Sequence, residues 1–375
     1  MKGLKLGKIT IKAVLLAITV VMAVVMLLSA WGGVVDPHKS SLMPLLTLGM
    51  PVVLIINVII ALAWLLLFRW KYALIPIAAI AVSWSPVSTV CPLNLFAKNF
   101  DADSTFRVMS YNVANFGPYD PSNHEPSKSM RYILDQDPDF VLLQEGSQER
   151  TYFNLSNVEM MRAEFEKKYP YHSDGWRDLM IFSKYPYTVV PDSAYDSEHE
   201  YRGGVYAKGF DILFPDGKQL RILNLHLRSI GMGEGDKDLY ATITKQGVNV
   251  NKRSELQRIK RSLFDKLKIA FRRHAEEAAI VRSMIDSSPE NLIVCGDFNE
   301  APSSYCYRNI RGDDLHDTFQ DCGTGITWTF HDRRMFFKID HILYRGGIES
   351  VDWCREKAGD SDHYPQIATF VWKNN

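Results

Sequence analysis

Three long apolar stretches, Ile11 to Trp31, Leu42 to Phe68 and Tyr72 to Val90, dominate the first quarter of the chain. Each is close to the ~20 residues that span a hydrocarbon core. Pro76 and Pro86 interrupt the third, as membrane helices tolerate. Pro92 to Thr105 then reads as a polar linker, with Asn94, Asn99, Asp101 and Asp103. From Phe106 onwards, short apolar runs alternate with segments of helical period. Strands are predicted at Phe106 to Val113, Phe140 to Gln144, Leu179 to Phe182, Gly204 to Phe214, Leu220 to Leu227, Leu292 to Cys295, Lys338 to Tyr344 and Ile367 to Trp372. Helices are predicted around Ser129 to Gln136 and Val158 to Lys168, and over Ser254 to Asp286. The strands flanking Pro215-Asp216-Gly217-Lys218 read as a hairpin. Hairpins mixed with helices predict an α/β sandwich of mixed sheets rather than a purely parallel one. The expected organisation is a transmembrane anchor of about three helices over 1–91, a linker over 92–105 and a globular domain over 106–375.

Charge divides the chain at the same place. Residues 1–100 carry eight Lys/Arg and one acidic residue, Asp36, whereas 101–375 carry 35 basic and 42 acidic residues. A mildly acidic globular part counts against a nucleic-acid surface, which is ordinarily basic. Lys2, Lys5, Lys8 and Lys12 precede the first span, and Arg69 and Lys71 fill the turn between the second and third. Basic span ends face the cytoplasm. Three spans then put everything after Val90 outside it, in an integral protein of the inner or plasma membrane. Ala30-Trp31-Gly32 loosely fits a signal cleavage site, but two further spans follow at once, so the first reads as an uncleaved anchor.

The globular part is organised around Leu292-Ile293-Val294-Cys295-Gly296-Asp297-Phe298-Asn299-Glu300-Ala301-Pro302, a buried strand broken into a loop by glycine and proline. Asp297 and Asn299, two apart, face one pocket: the first can accept a proton and the second can donate to a phosphoryl oxygen. Other polar residues end or interrupt apolar strands: Asn112, Glu145, His226, the pair Asp340-His341, and the pair Asp362-His363. Each alone reads as a turn residue, a solvated charge or a core histidine. Cys295, in an apolar strand, reads as core filler and not as a nucleophile.

Together the segments form one ordered pattern. Ser110-Tyr111-Asn112-Val113, Leu143-Gln144-Glu145, Asn224-Leu225-His226-Leu227, Gly296-Asp297-Phe298-Asn299, Ile339-Asp340-His341-Ile342 and Ser361-Asp362-His363-Tyr364-Pro365 resemble the endonuclease/exonuclease/phosphatase superfamily over about 106 to 372. That superfamily includes pancreatic deoxyribonuclease, abasic-site endonucleases, neutral sphingomyelinases and inositol-polyphosphate 5-phosphatases. The resemblance implies a four-layered α/β sandwich with its site where two sheets meet at one edge. It implies Glu145 as the main ligand of a divalent cation, with Asn112 beside it and Asp362 approaching the metal or the water. Hard oxygen ligands suit Mg²⁺ or Mn²⁺. Asp297 would orient or deprotonate water, Asn299 would hold the phosphoryl group, His226 and His363 would donate to non-bridging oxygens, and Asp340 would fix the ring of His363.

Direct attack by water agrees with a carboxylate, amide and histidine cluster that has no nucleophilic Ser or Cys motif. The expected activity is a phosphodiesterase acting on a phospholipid head group or on extracytoplasmic nucleic acid, with no protein partner evident. A catalytically silent binding module of the same fold is the alternative from a different class, and the complete motif set speaks against it. Leu179 to Pro186 resembles the family's strand before a Ser-Lys-Tyr-Pro turn, with bulkier residues. An insertion at Arg228 to Ala270 starts glycine-rich and ends basic: Lys252 to Arg273 holds nine basic and two acidic residues, and Leu256, Ile259, Leu263, Leu267 and Ala270 recur at helical spacing. It reads as a solvated helix face, with contact to anionic lipid or to nucleic acid as alternatives. Cys306 and Cys322 could close a disulfide loop in an exported domain.

Overall fold

The computed structural model describes residues 2–101, 105–117, 125–146, 155–173, 178–191, 207–231, 253–332 and 335–373, with side chains described except at 2–10, 155–160 and 253–263. The start of the insertion (232–252) and the apolar and basic side chains over 253–263 therefore lie outside what is described, as does Gly204.

The apolar front forms α1 (Lys2–Trp31), a 3-10 turn (Gly32–Val34), α2 (Leu42–Leu48), α3 (Met50–Leu66), α4 (Trp70–Val82) and α5 (Trp84–Val90). One segment, Ile11–Val34, is a continuous helix long and apolar enough to cross a membrane. The second and third expected spans are bent pairs: α2 meets α3 at 62° and α4 meets α5 at 77°. Both breaks have a local cause, since Pro51 and Pro86 sit in the first turn after each break and cannot continue the preceding hydrogen-bond ladder. Polar side chains tie these helices together. Asn57 donates to the Met22 carbonyl at 3.1 Å and Trp64 donates to Thr19 at 2.8 Å, the kind of interhelical bond that substitutes for hydrophobic driving force in lipid.

The remainder forms β1 (Thr105–Asn112), α6 (Lys128–Gln136), β2 (Phe140–Gln144), α7 (Leu155–Lys168), β3 (Tyr171–His172), β4 (Met180–Ser183), β5 (Tyr187–Val189), β6 (Ala207–Leu213), β7 (Gln219–His226), α8 (Arg253–Asp286), β8 (Leu292–Asp297), α9 (Tyr305–Arg311), β9 (His316–Asp317), α10 (Thr318–Cys322), β10 (Asp340–Arg345), β11 (Ile348–Arg355) and β12 (Gln366–Trp372). Two six-stranded mixed sheets result, ordered β11-β12-β1-β2-β4-β3 and β5-β6-β7-β8-β10-β9. The expected β6–β7 hairpin is antiparallel from Ala207↔Leu225 to Leu213↔Gln219.

Side-chain alternation builds four layers. Phe106, Val108, Phe140 and Leu142 of the first sheet meet Phe210, Ile222, Ile293 and Ile342 of the second in one core. The opposite faces pack on helices: Met109, Val141 and Leu143 against α6 and α7, and Leu223, Val294 and Leu343 against α8 and α9. The α/β sandwich of mixed sheets is thus the fold.

The segment after α5, read as a linker, is pinned to the domain: Asn94 donates to the Gln320 and Gly323 carbonyls at 2.9 and 2.8 Å, and Lys98 pairs with Glu349 at 2.9 Å. No Cys306–Cys322 disulfide forms, because Cys306 is buried in the α9 core while Cys322 reaches the Ser350 carbonyl at 3.3 Å.

The apolar front docks on the α/β domain as well. Ser303, just past the central loop, shares a 2.7 Å hydrogen bond with Thr89 of α5 and donates to the Pro86 carbonyl at 3.0 Å. Gly33 lies so close that a Cβ there would come within 1.8 Å of the Ser303 carbonyl oxygen, so no other residue fits without moving one of the two chains.

Candidate active site

The same alternation that makes the core also makes the site. Val108, Ser110 and Asn112 of β1 share the inter-sheet face, as do Ile222, Asn224 and His226 of β7, Ile293, Cys295 and Asp297 of β8, and Asp340 and Ile342 of β10. β1 and β2 run parallel, as do β7 and β8, so their carboxyl ends converge on one edge. His226 pairs in register with Asp297, and Asp340 pairs with Asp297 from the antiparallel side. Apolar residues fill the two sheet interfaces up to this edge, where the polar residues begin. Gly296 enables the approach: at φ 139° its Cα sits where a Cβ would meet the Leu225 carbonyl oxygen at 1.9 Å.

Asp297 is the hub. Its carboxylate accepts from Asn112 Nδ2 at 3.0 Å and from the Asn299 backbone N–H at 2.8 Å. Asn112 Nδ2 also donates to Glu145 at 3.2 Å, linking the two carboxylates. Burial, with the neighbouring Asp340 charge, pushes the Asp297 carboxyl up to about 6. His363 stands 3.6 Å from Asp297 through Nε2, and its Nδ1 bonds Asp340 at 2.9 Å. Burial opposes charge on His363, but Asp340 and Asp297 outweigh it and raise the imidazole to about 10. Asp340 is in turn held low, against its burial, by His363. Phe330 packs edge-on to the His363 ring at 5.1 Å.

His226 bonds Asp178 at 2.9 Å through Nδ1, leaving Nε2 3.7 Å from Glu145. Against the partial burial of the ring, the Asp178 hydrogen bond and charge raise it to about 9. One Asn299 side-chain N–H donates to the Leu227 carbonyl at 2.8 Å, and the amide has a second. Glu145 (φ 56°) and Asn299 (φ 49°) both sit in left-handed backbone. Non-glycine residues cost of order 1–3 kcal/mol there, strain that clusters at functional sites.

Glu145, Asp297, Asn299, Asp362 and His363 line one cleft of about 400 Å³. Asn112, His226 and Asp340 stand behind it, through the contacts just given. All eight candidate residues therefore converge. Asp297, Asp340 and His363 bring one ligand atom each within 4.8 Å of one another. A divalent cation fits the hard carboxylate oxygens at Glu145, Asp297 and Asp362, whereas Asn112 turns its Nδ2 to the carboxylates and its Oδ1 accepts the Ala114 backbone N–H at 3.0 Å.

Several supporting residues escaped the sequence reading. Asp178 carries His226. Thr329 Oγ1 accepts the Ile339 and Asp340 backbone N–H groups at 3.0 and 3.1 Å. Gln144 and Asn224 bridge the two sheets at 2.6 Å beneath the site. Buried His274 bonds Glu300 at 2.8 Å and the Arg228 carbonyl at 2.6 Å, bracing the loop after Asn299. Three of them carried a local signal: an acidic residue directly before a predicted strand (Asp178), and amides inside apolar runs (Gln144, Asn224).

A crystal structure of an endonuclease/exonuclease/phosphatase family protein from Bacteroides thetaiotaomicron aligns with a TM-score of 0.46 at 15% identity, covering 72% of this chain and 99% of that one. A D. rerio TDP2 structure complexed with single-strand DNA product aligns at 0.45 and 16%, covering 72% and 99%. A mannosyl-6-phosphatase of Bacteroides thetaiotaomicron aligns at 0.42 and 15%, covering 71% and 100%. No curated protein matches the chain. Residues 12–90 match a family described only as a domain of unknown function. Residues 109–363, which hold every candidate site residue, match the Endonuclease/Exonuclease/phosphatase family, and the chain belongs to that family.

Proposed function

We propose that the chain is a membrane-anchored, divalent-metal-dependent phosphodiesterase that cleaves a phosphate ester by direct attack of water. The observation that carries this reading is the buried Asp297 carboxylate, poised between Asn112, Asn299 and a His363 that Asp340 keeps protonated. In this reading Glu145 and Asn112 hold Mg²⁺ or Mn²⁺, with Asp362 beside them. Held there, a divalent cation would supply charge neutralisation and polarisation of the phosphoryl group. Asp297 takes the proton of the attacking water as the new P–O bond forms and the ester P–O bond breaks. Its raised affinity for a proton suits that task near neutral pH. His363 and His226, as imidazolium ions, donate to the non-bridging oxygens as negative charge builds, and Asn299 orients the phosphoryl group.

Placement on a membrane is supported by two ends of the anchor. Lys12 lies 4.9 Å from the Tyr72 ring, so the start of the Ile11–Val34 span and the basic turn before α4 share one end. Gly33 and Thr89, which touch the catalytic domain, lie at the far ends of their spans. Basic residues at the first end support a cytoplasmic position for it and an extracytoplasmic one for the catalytic domain.

The test is release of nitrophenolate from bis(4-nitrophenyl) phosphate by the full-length chain in detergent, with Mg²⁺, Mn²⁺ or chelator. Chelation should abolish turnover. Asp297→Asn and His363→Ala should each lower kcat by about 10²- to 10⁴-fold. Wild-type rates in either variant would overturn the assignment.

A further inference from the structure

The cleft has two unlike walls. One is the polar set already described; the other is apolar, and part of it belongs to the membrane anchor. Leu48, the last residue of α2, lines the cleft together with Leu267 and Phe271 of α8 and with Ile230. Phe330 and Phe337 continue the apolar side past His363. On α8 the stripe runs outward at helical spacing from buried Phe271 through half-buried Leu267 to exposed Phe264. The bend at Gly49 is what brings α2 off the line of α3 and onto the catalytic domain.

Among the described residues lining the cleft there is no Lys or Arg, while Glu145, Asp297, Glu300 and Asp362 contribute carboxylates. Tracking a nucleic-acid backbone calls for a cationic groove beside any stacking surface, and the described walls supply only the second. An amphiphile needs what is present: a polar floor for one phosphodiester and an apolar wall continuous with the bilayer for its chain.

Resting on the phosphodiesterase reading above, we infer that the substrate is a membrane lipid carrying a phosphodiester, with its acyl or alkyl chain lying along Leu48, Leu267 and Phe271. Leu48 and Leu267 are then specificity-determining residues that touch neither the scissile bond nor the cation.

The experiment uses the full-length chain in mixed micelles with Mg²⁺ and a series of 4-nitrophenyl alkyl phosphodiesters with methyl, octyl and hexadecyl chains. Thymidine 5′-(4-nitrophenyl phosphate) is the nucleotide arm. The leaving group is constant, so the series reads the chain alone. For the wild type, kcat/KM should rise at least about tenfold from methyl to hexadecyl, the effect of burying roughly two methylenes. Leu48→Asp and, as a milder second variant on a different element, Leu267→Asn should each flatten that rise through KM. Micelle partitioning alone would give a rise that neither variant alters, and that result overturns the inference. A preference for the thymidine ester, or no dependence on chain length, overturns it too while leaving the phosphodiesterase reading standing. No turnover of even the methyl ester would instead remove the reading on which it rests.

Discussion

Asp178 stands directly before a four-residue strand and looks, in sequence, like a solvated turn carboxylate. In the fold it receives His226, 48 positions away, and holds that ring toward Glu145. Asp178→Asn should leave the fold intact yet lower kcat/KM by up to about 10²-fold, because His226 loses the carboxylate that keeps it a charged donor. Wild-type turnover in that variant would show that His226 works without it.

His274 and Glu300 make a second buried pair, whose role is structural. Burial opposes charge on His274, but the Glu300 hydrogen bond and charge raise it above its ordinary value. The sign follows: a raised histidine contributes stability that is fully present below its unfolded pKa of ~6.5 and is lost as pH rises through its folded value. The thermal midpoint of the wild type should therefore fall on the alkaline side. His274→Ala should reduce that dependence, to which the raised His226 and His363 also contribute, and cost roughly 3–5 kcal/mol by leaving the Glu300 carboxylate buried without its partner.

At the scale of elements, legibility in the sequence followed the strength of each local pattern. β1, β2, β7 and β8 alternate cleanly or run apolar to a polar end, so both their positions and their site residues could be read from the chain. β3, β5 and β9, two or three residues each, carry too few positions to show a period and exist because a neighbouring strand pairs with them. β11 is an edge strand with Glu349 and Asp352 and a register shift between Ser350 and Asp352, which masks its alternation. The bends before α3 and α5 are invisible to hydropathy, which sums composition and not direction. The supporting partners of the site were hidden for the same reason as Asp178: they lie far apart in sequence, and only the fold makes them neighbours. The contact of Gly33 with Ser303 is of this kind and can be tested directly. Gly33→Ala should lower stability by about 1–3 kcal/mol, the usual effect of overpacking, seen as a reduced thermal midpoint of the detergent-solubilised chain. An unchanged midpoint would mean that the anchor and the domain are not mechanically joined there.

For the whole molecule, the prediction concerns sidedness. The basic end of the anchor, with Lys12 beside Tyr72, lies opposite the end that carries Ser303 and the catalytic cleft. An alkaline phosphatase fused after Asn375 should be active, and a fluorescent protein that matures only in the cytoplasm should stay dark. The reverse pattern would place the site inside the cell and leave the basic turn on the outer face.

The joint at Ser303 has one more consequence. A catalytic head on a slack tether samples every height its tether permits, whereas a head seated on the ends of its own anchor helices has a single elevation above the bilayer. On the membrane-anchored reading, the bilayer would then serve as a ruler. Targets would be sorted by how far their phosphorus stands from the hydrocarbon boundary before any chemistry discriminates among them, and a spacer of a few residues inserted after Val90 would change the set of bonds within reach without altering a single group at the site.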